Sequence, residues 1–225
     1  MKLTIIALIA AILLFCTYPQ IDLIVSGLFY KEGFYLAYHP IVYGVYMSVR
    51  VFCVLTAGVA SFIILYDFLK KKNIKLPLQS IADKVRGYIR FDNRAAALLL
   101  LVIIITPGVM VHNVMKPFWD RARPRHIEQF GGELKFTPIY EIKRAHDGNN
   151  SFPSGHASMA ASLIALGFLV AQSRRRLVFT VTSIYAVIAS LGRVVQGGHY
   201  LSDVTISFLI TMLTIFIVRR WLYRV

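Results

Sequence analysis

The sequence predicts an all-α, polytopic membrane protein with about six transmembrane helices and a functional site at its outer membrane face. Three observations carry that expectation. Of the 225 residues, 57% are hydrophobic and only 16% are charged, whereas a soluble domain averages about 25% charged. Apolar runs recur with lengths near the ~20 residues needed to cross a bilayer. The remaining polar residues gather into short stretches between those runs, so the whole chain, 1–225, reads as one membrane-embedded domain.

The runs fall at residues 3–17, 45–69, 95–115, 155–172, 177–191 and 204–221. The first is read as a retained helix, because only Lys2 precedes it and no small-x-small cleavage pattern stands before Tyr18. Cys16 and Cys53 both sit inside apolar runs and read as packing residues. Residues 73–92 alternate charged and apolar side chains (Ile74, Leu76, Leu78, Ile81, Val85), the pattern of an amphipathic helix on the inner surface.

The net charge of +14 is read by location, as a topological signal; no nucleic-acid partner is expected. Lys70, Lys71, Lys72, Lys75, Lys84, Arg86, Arg90 and Arg94 crowd residues 70–94, and further cations lie at Arg174–Arg176 and at Arg219, Arg220 and Arg224. Basic juxtamembrane segments mark the cytoplasmic side, so 70–94 is expected to be cytoplasmic. An even number of spans then puts 19–44, 116–153 and 193–203 on the periplasmic side. Loop 116–153 is itself basic, with Lys116, Arg121, Arg123, Arg125, Lys135, Lys143 and Arg144. That departure from the charge rule suggests that those cations have a task other than topology.

Three polar motifs on the outer face describe an anion site. They are Lys116-Pro-Phe-Trp-Asp-Arg-Ala-Arg123-Pro124, then Pro153-Ser154-Gly155-His156, then Gly192-Arg193 followed by His199 and Asp203. Ionisable groups near lipid are expensive to place and are functional candidates by default. Cleaving a phosphate monoester requires charge on the equatorial oxygens, an in-line nucleophile and a proton for the leaving oxygen. Lys116, Arg123 and Arg193 supply the charge, and guanidinium forks suit phosphate oxygens. Ser154 is a natural helix N-cap, Gly155 lets the backbone come close, and a helix N-terminus attracts phosphate.

His199 and Asp203 are four apart, so on a helix they share a face. That pairing makes His199 the expected nucleophile, with Asp203 orienting its ring and His156 protonating the leaving group. An even division of labour between the two histidines is the alternative. Zinc on His156, His199 and Asp203 is disfavoured, since three nearby cations oppose a metal and call for an anion. His39, His112, His126 and His146 read as interfacial. Phe118 and Trp119 read as interfacial anchors, and Asp120 with Arg121 as a local ion pair.

In order and spacing, Lys-x6-Arg-Pro, Pro-Ser-Gly-His and Arg-x5-His-x3-Asp resemble the three signature motifs of the type 2 phosphatidic acid phosphatase superfamily. The resemblance implies a metal-independent, cofactor-free lipid phosphatase. It implies phosphate binding by Lys116, Arg123, Ser154, Gly155 and Arg193, and catalysis by His199, His156 and Asp203. One departure stands: the third motif usually opens Ser-Arg and here opens Gly192-Arg193. Residues 125–132 and 194–203 further resemble bacterial inner-membrane phosphatases acting on lipid A. The expected partner is therefore a lipid phosphate, with undecaprenyl pyrophosphate and phosphatidylglycerol phosphate as alternatives. Transfer of the phosphoryl group to a lipid acceptor is a competing activity, and non-catalytic lipid binding a third class. A soluble haloperoxidase is disfavoured by the apolar chain.

Overall fold

A computed structural model of the protein describes residues 1–73, 92–142 and 150–224. Among these residues regular structure is helical, with two isolated bridges, Tyr30–Phe34 and Ile127–Leu134. The expected amphipathic helix over 73–92 lies almost wholly outside the described residues, as do Lys143, Arg144 and His146.

Helix α1 covers Lys2–Thr17 and stops before Pro19; α2, Gln20–Gly27, then leaves at 87° to it. A helix cannot continue straight through Tyr18-Pro19, since proline disfavours helical backbone at the residue before it. The outer segment 19–44 was expected to be a loop. It contains α2 because Asp22, two residues inside, is buried against distant partners described below. Helix α3, Pro40–Lys71, starts ahead of the expected residue 45. Pro40 occupies its first position, where proline's fixed φ suits a helix and its missing N–H costs nothing.

Helix α4, Asn93–Ile103, is capped by the Asp92 carboxylate, which accepts from the Arg94 and Ala95 amides at 2.9 and 3.4 Å. It continues as a π-helix over Ile104–Met115, with Pro107 inside. Proline cannot donate to the α-helical ladder, and a widened helix is one way the backbone accommodates the loss. One α-turn, Lys116–Trp119, follows and ends at Asp120 in the left-handed region (φ 38°).

Helix α5, Gly155–Ser162, tightens into a 3₁₀ turn over Leu163–Phe168. Helix α6 spans Gln172–Val195 and α7 spans Leu201–Tyr223. Arg174–Arg176, expected in a link between spans, lie inside the start of α6.

Four stretches are long and apolar enough to cross a membrane: Pro40–Lys71, Asn93–His126, Gln172–Val195 and Leu201–Tyr223. The bent pair α1–α2 makes a fifth. The remaining expected span, Gly155–Phe168, is about 24 Å long, short of the ~30 Å hydrocarbon core. It is the centre of the bundle, in contact with α3, α4 and its π continuation, α6 and α7. Its sequence explains this. Gly155, Ala157, Ser158, Ala160, Ala161 and Ser162 are small and buried, which lets neighbouring helices approach closely, as packing in lipid requires. Around it Val49, Ile63, Leu98, Leu99, Ile164 and Ile215 form the main core. Leu13, Val54, Leu65, Ile184 and Ile217 face outward, where hydrocarbon is a suitable solvent. Some buried hydroxyls are satisfied within their own helices: Ser162 donates to the Ser158 carbonyl and Thr211 to the Ser207 carbonyl, both at 2.8 Å.

The two ends of the bundle differ. One gathers Asp67, Asn93, Arg94 and Tyr223, through Asn93–Asp67 and Tyr223–Asp92 hydrogen bonds and Arg94 over the Tyr223 ring. The other gathers segment 28–39, the polar loop after Trp119 and the turn between α6 and α7 around one cavity.

Candidate active site

The site is assembled where α2, the loop before α5 and the start of α7 meet. Tyr200 is the N-cap of α7, so His199 stands just before the helix and does not share its face with Asp203, contrary to the helical reading of their spacing. The cap brings them together by another route. The Asp203 carboxylate turns back to accept the Tyr200 amide at 2.9 Å, the reciprocal bond of a capping box. Its Oδ2 then lies 3.6 Å from His199 Nδ1, an electrostatic distance and too long for a hydrogen bond.

The direct partner of His199 Nδ1 is the Ser151 carbonyl, at 2.7 Å. A carbonyl can only accept, so Nδ1 carries the proton and Nε2 keeps its lone pair. Ser151 couples the pair in a second way, since its hydroxyl donates to Asp203 Oδ2. Burial pushes the His199 imidazole down to about 4, against the opposing influence of Asp203. The ring is therefore neutral at ordinary pH. Burial likewise pushes the Tyr200 phenol up.

Beneath this pair lies Arg121, which is fully buried. Its bonds reach well beyond its neighbours in the chain. Its Nη1 donates to Asp203 Oδ1 at 2.6 Å and to Ser202 Oγ at 2.8 Å; its Nη2 donates to Asp22 Oδ2 at 2.9 Å, and its Nε to the Thr137 carbonyl at 2.7 Å. The guanidinium also stacks over the Tyr200 ring at 4.1 Å. Asp22 in turn accepts the Ser202 amide at 2.9 Å and the Ser202 hydroxyl. One planar fork thus satisfies two buried carboxylates from opposite ends of the chain, the geometry for which arginine is suited.

Lys116, Arg123 and Arg193 come close enough to act electrostatically on one another, and Asp203 acts on Lys116. Lys116 and Arg193 also act on His199. Arg193 is held by its own Nη1–H bond to Gln196 Oε1 and by the Tyr46 ring, 4.6 Å from its guanidinium carbon. Tyr46 also stacks on His156, with ring centroids 4.4 Å apart and planes 18° apart. His156 Nε2 is buried with no hydrogen-bond partner among the described residues. Ser154 caps α5, accepting from the Ala157 amide at 3.3 Å, while its own amide donates to Ser207 Oγ at 2.7 Å. A Cβ on Gly155 would stand 2.9 Å from His112 Nε2. His112 therefore packs against the α5 N-terminus, a position that its reading as a merely interfacial residue missed.

Lys116, Arg123, His156, Arg193, His199 and Asp203 are thus linked by electrostatic reach, and Ser154 and Gly155 start the helix that carries His156. Six participants escaped sequence reasoning: Asp22, Tyr46, Arg121, Ser151, Gln196 and Ser202. Asp22, Tyr46 and Ser151 lie outside the three motifs, while Arg121, Gln196 and Ser202 fall at unspecified positions within them. Trp119 is also more than an anchor: its indole donates to the Ile139 carbonyl at 2.6 Å and its ring packs on Phe152. Among the described residues no three His, Cys, Asp or Glu side chains converge as a metal-binding group. Three cations thus stand close to a neutral imidazole.

Comparison with known proteins agrees with the geometry. The PAP2 superfamily profile matches residues 95–225. The chain is 35% identical over 133 residues to a lipid A 4'-phosphatase of Francisella tularensis subsp. novicida (strain U112), covering 58% of this chain and 60% of that protein. It is 33% identical over 107 residues to a lipid A 4'-phosphatase of Rhizobium etli, covering 48% and 42%. With the phosphatidylglycerophosphatase B of Bacillus subtilis (strain 168) it shares 27% identity over 128 residues, covering 54% and 56%. The chain thus spans about half the length of the curated relatives it matches. No solved structure matches it.

Proposed function

The chain belongs to the PAP2 superfamily, and on that footing we propose that it is a membrane phosphatase that removes a phosphate monoester from a lipid, lipid A in the first instance. The observation that carries the proposal is the tautomer of His199. With Nδ1–H given to the Ser151 carbonyl, the Nε2 lone pair is free to attack phosphorus. In the first step a P–N bond forms and the P–O bond to the lipid breaks, giving phosphohistidine. His156 donates its proton to the departing alkoxide, and a dianionic substrate lying beside it favours that proton. In the second step water attacks phosphorus, the P–N bond breaks, His156 takes the proton and inorganic phosphate leaves. Lys116, Arg123 and Arg193, with the Ser154–Gly155 turn, hold the phosphoryl oxygens throughout. Asp203 stabilises the charge that His199 acquires on attack.

We further propose a bacterial inner-membrane location with the site toward the periplasm, where the basic loops 70–94 and 219–224 stay cytoplasmic. Lipid A is favoured by the names of two relatives. Phosphatidylglycerol phosphate is kept as the second substrate by the name of a third.

The test is phosphate release by the purified protein from lipid A, phosphatidylglycerol phosphate and phosphatidic acid, with EDTA present. Wild type should turn over, and His199→Ala should lose about 10³-fold or more while keeping its elution profile in detergent. Rapid quenching should trap an acid-labile phosphoprotein in wild type only. Activity above a tenth of wild type in His199→Ala removes His199 from the nucleophile's role. Activity that returns only with added magnesium or zinc overturns the metal-free mechanism.

A further inference from the structure

A cavity of about 740 Å³ opens above the phosphate cations. Sites of about 300–1,000 Å³ enclose whole small molecules, so this one is far larger than a phosphoryl group needs. Arg123 and Arg193 line it on the catalytic side. Half of the rest of its wall is aromatic, including Tyr35, Tyr38, Tyr43 and Tyr46, and Lys31 adds a further cation. Tyr38 is 89% exposed, and Tyr35 and Tyr43 are about half exposed. Glu32, Gln196 and Arg125 add hydrogen-bonding groups of both kinds.

Segment 28–39, which carries half of this wall, is fastened down. Tyr30, Phe34 and Phe130 pack edge to face or tilted at 5.2–5.6 Å. Gln196 Nε2 donates to the Ala37 carbonyl at 3.2 Å while its Oε1 holds Arg193. One side chain therefore ties the aromatic wall to a phosphate-binding guanidinium, and the wall keeps a fixed place relative to the reacting centre.

We propose that this cavity is a saccharide subsite: it takes the sugar ring that bears the scissile phosphate, with Tyr35, Tyr38 and Tyr43 meeting the apolar C–H face of the ring and Glu32 and Gln196 its hydroxyls. Aromatic rings beside balanced donors and acceptors match a pyranose, which has one C–H face and polar edges. A glycerol phosphate would leave most of the volume empty. The proposal rests on the phosphatase reading and narrows it to phosphorylated glycolipids.

The experiment measures binding, so it does not depend on turnover. Calorimetry on the detergent-solubilised full chain compares glucosamine 1-phosphate with glycerol 1-phosphate. Wild type should bind the sugar phosphate at least tenfold more tightly. Tyr35→Ala/Tyr38→Ala, which alters exposed side chains and no core packing, should bring that ratio near one and leave glycerol 1-phosphate unchanged. Equal affinities in wild type overturn the subsite. So does a ratio that survives the double substitution, which would leave the tyrosines as membrane-interface anchors. Failure of the phosphatase reading appears elsewhere, as no phosphate release from any lipid by wild type.

Discussion

At the scale of single residues, Arg121 and His199 show how burial turns ordinary side chains into committed ones. Arg121 has no water to fall back on, and two carboxylates depend on it. Removing one partner of such a group costs about 3–5 kcal/mol, because the charges left behind stay buried. Arg121→Met should therefore destabilise the protein by that order in denaturant titration. Arg121→Lys should recover little of it, since an ammonium cannot replace a planar fork that bonds four partners. A loss below about 1 kcal/mol in the Met variant would mean that Asp22 and Asp203 find other partners. His199 makes a pH prediction. Its pKa is about 4 in the folded protein against 6.5 ordinarily. Between those values the unfolded chain binds a proton that the folded chain refuses. The stability it contributes is thus complete above about pH 6.5 and is lost as pH falls toward 4. The thermal midpoint in detergent should drop between pH 7 and pH 5, and His199→Asn should shrink that drop. An unchanged drop in the variant assigns it to the carboxylates.

At the scale of elements, the turn from α6 to α7 couples a backbone constraint to the aromatic wall. Gly197 has φ +61°, and a Cβ there would meet the Phe34 ring. The left-handed backbone costs an L-residue about 1–2 kcal/mol. Gly197→Ala should therefore lower stability by roughly that much and, by pushing Phe34 aside, raise KM for lipid A more than it lowers kcat. Gly197→Asn tolerates the dihedral angle yet still meets Phe34, so it should keep the KM effect. Equal KM values in both variants and wild type would free the wall from the turn. Elements were legible in sequence where composition and local chemistry agree. Apolar runs located α3, α4, α6 and α7, and the serine of Pro-Ser-Gly-His marked the cap of α5. Helix α2 was not legible, because eight residues leave little periodicity and the reason for its place is a bond from Asp22 to Arg121, 99 residues away. Tyr46 was missed for the same reason: nothing local tells a tyrosine on α3 that it will lie between Arg193 and His156. Motif spacing picked out the cations Lys116, Arg123 and Arg193, which the fold brings within electrostatic reach of one another. It could not reveal that a serine carbonyl, and not a helical carboxylate, takes the hydrogen bond of His199.

At the scale of the whole molecule, the proposed orientation in the membrane rests on the basic segments at one end and has a direct test. Single cysteines at Glu133 and at Asn73, in a chain with Cys16 and Cys53 replaced by Ala, should react oppositely with an impermeant thiol reagent applied from outside. Both positions are exposed at their ends of the bundle. Labelling at Asn73 alone would invert the orientation and exclude a periplasmic substrate. The bond from Ser202 to Asp22 joins residues 180 apart, and it gives the enzyme a history as well as a shape. At about 5–20 residues per second, a ribosome needs roughly 10–40 s to travel that distance. During that interval α2 is already made and its Asp22 carboxylate gains Arg121 before Ser202 exists, while Lys116 and Arg123 of the first motif emerge before His199. Closure of the site is thus a late event in biogenesis. A chain arrested before residue 199 would be a lipid-embedded bundle with the first-motif cations and neither His199 nor Asp203, so the proposed chemistry becomes possible only with the segment that locks the fold.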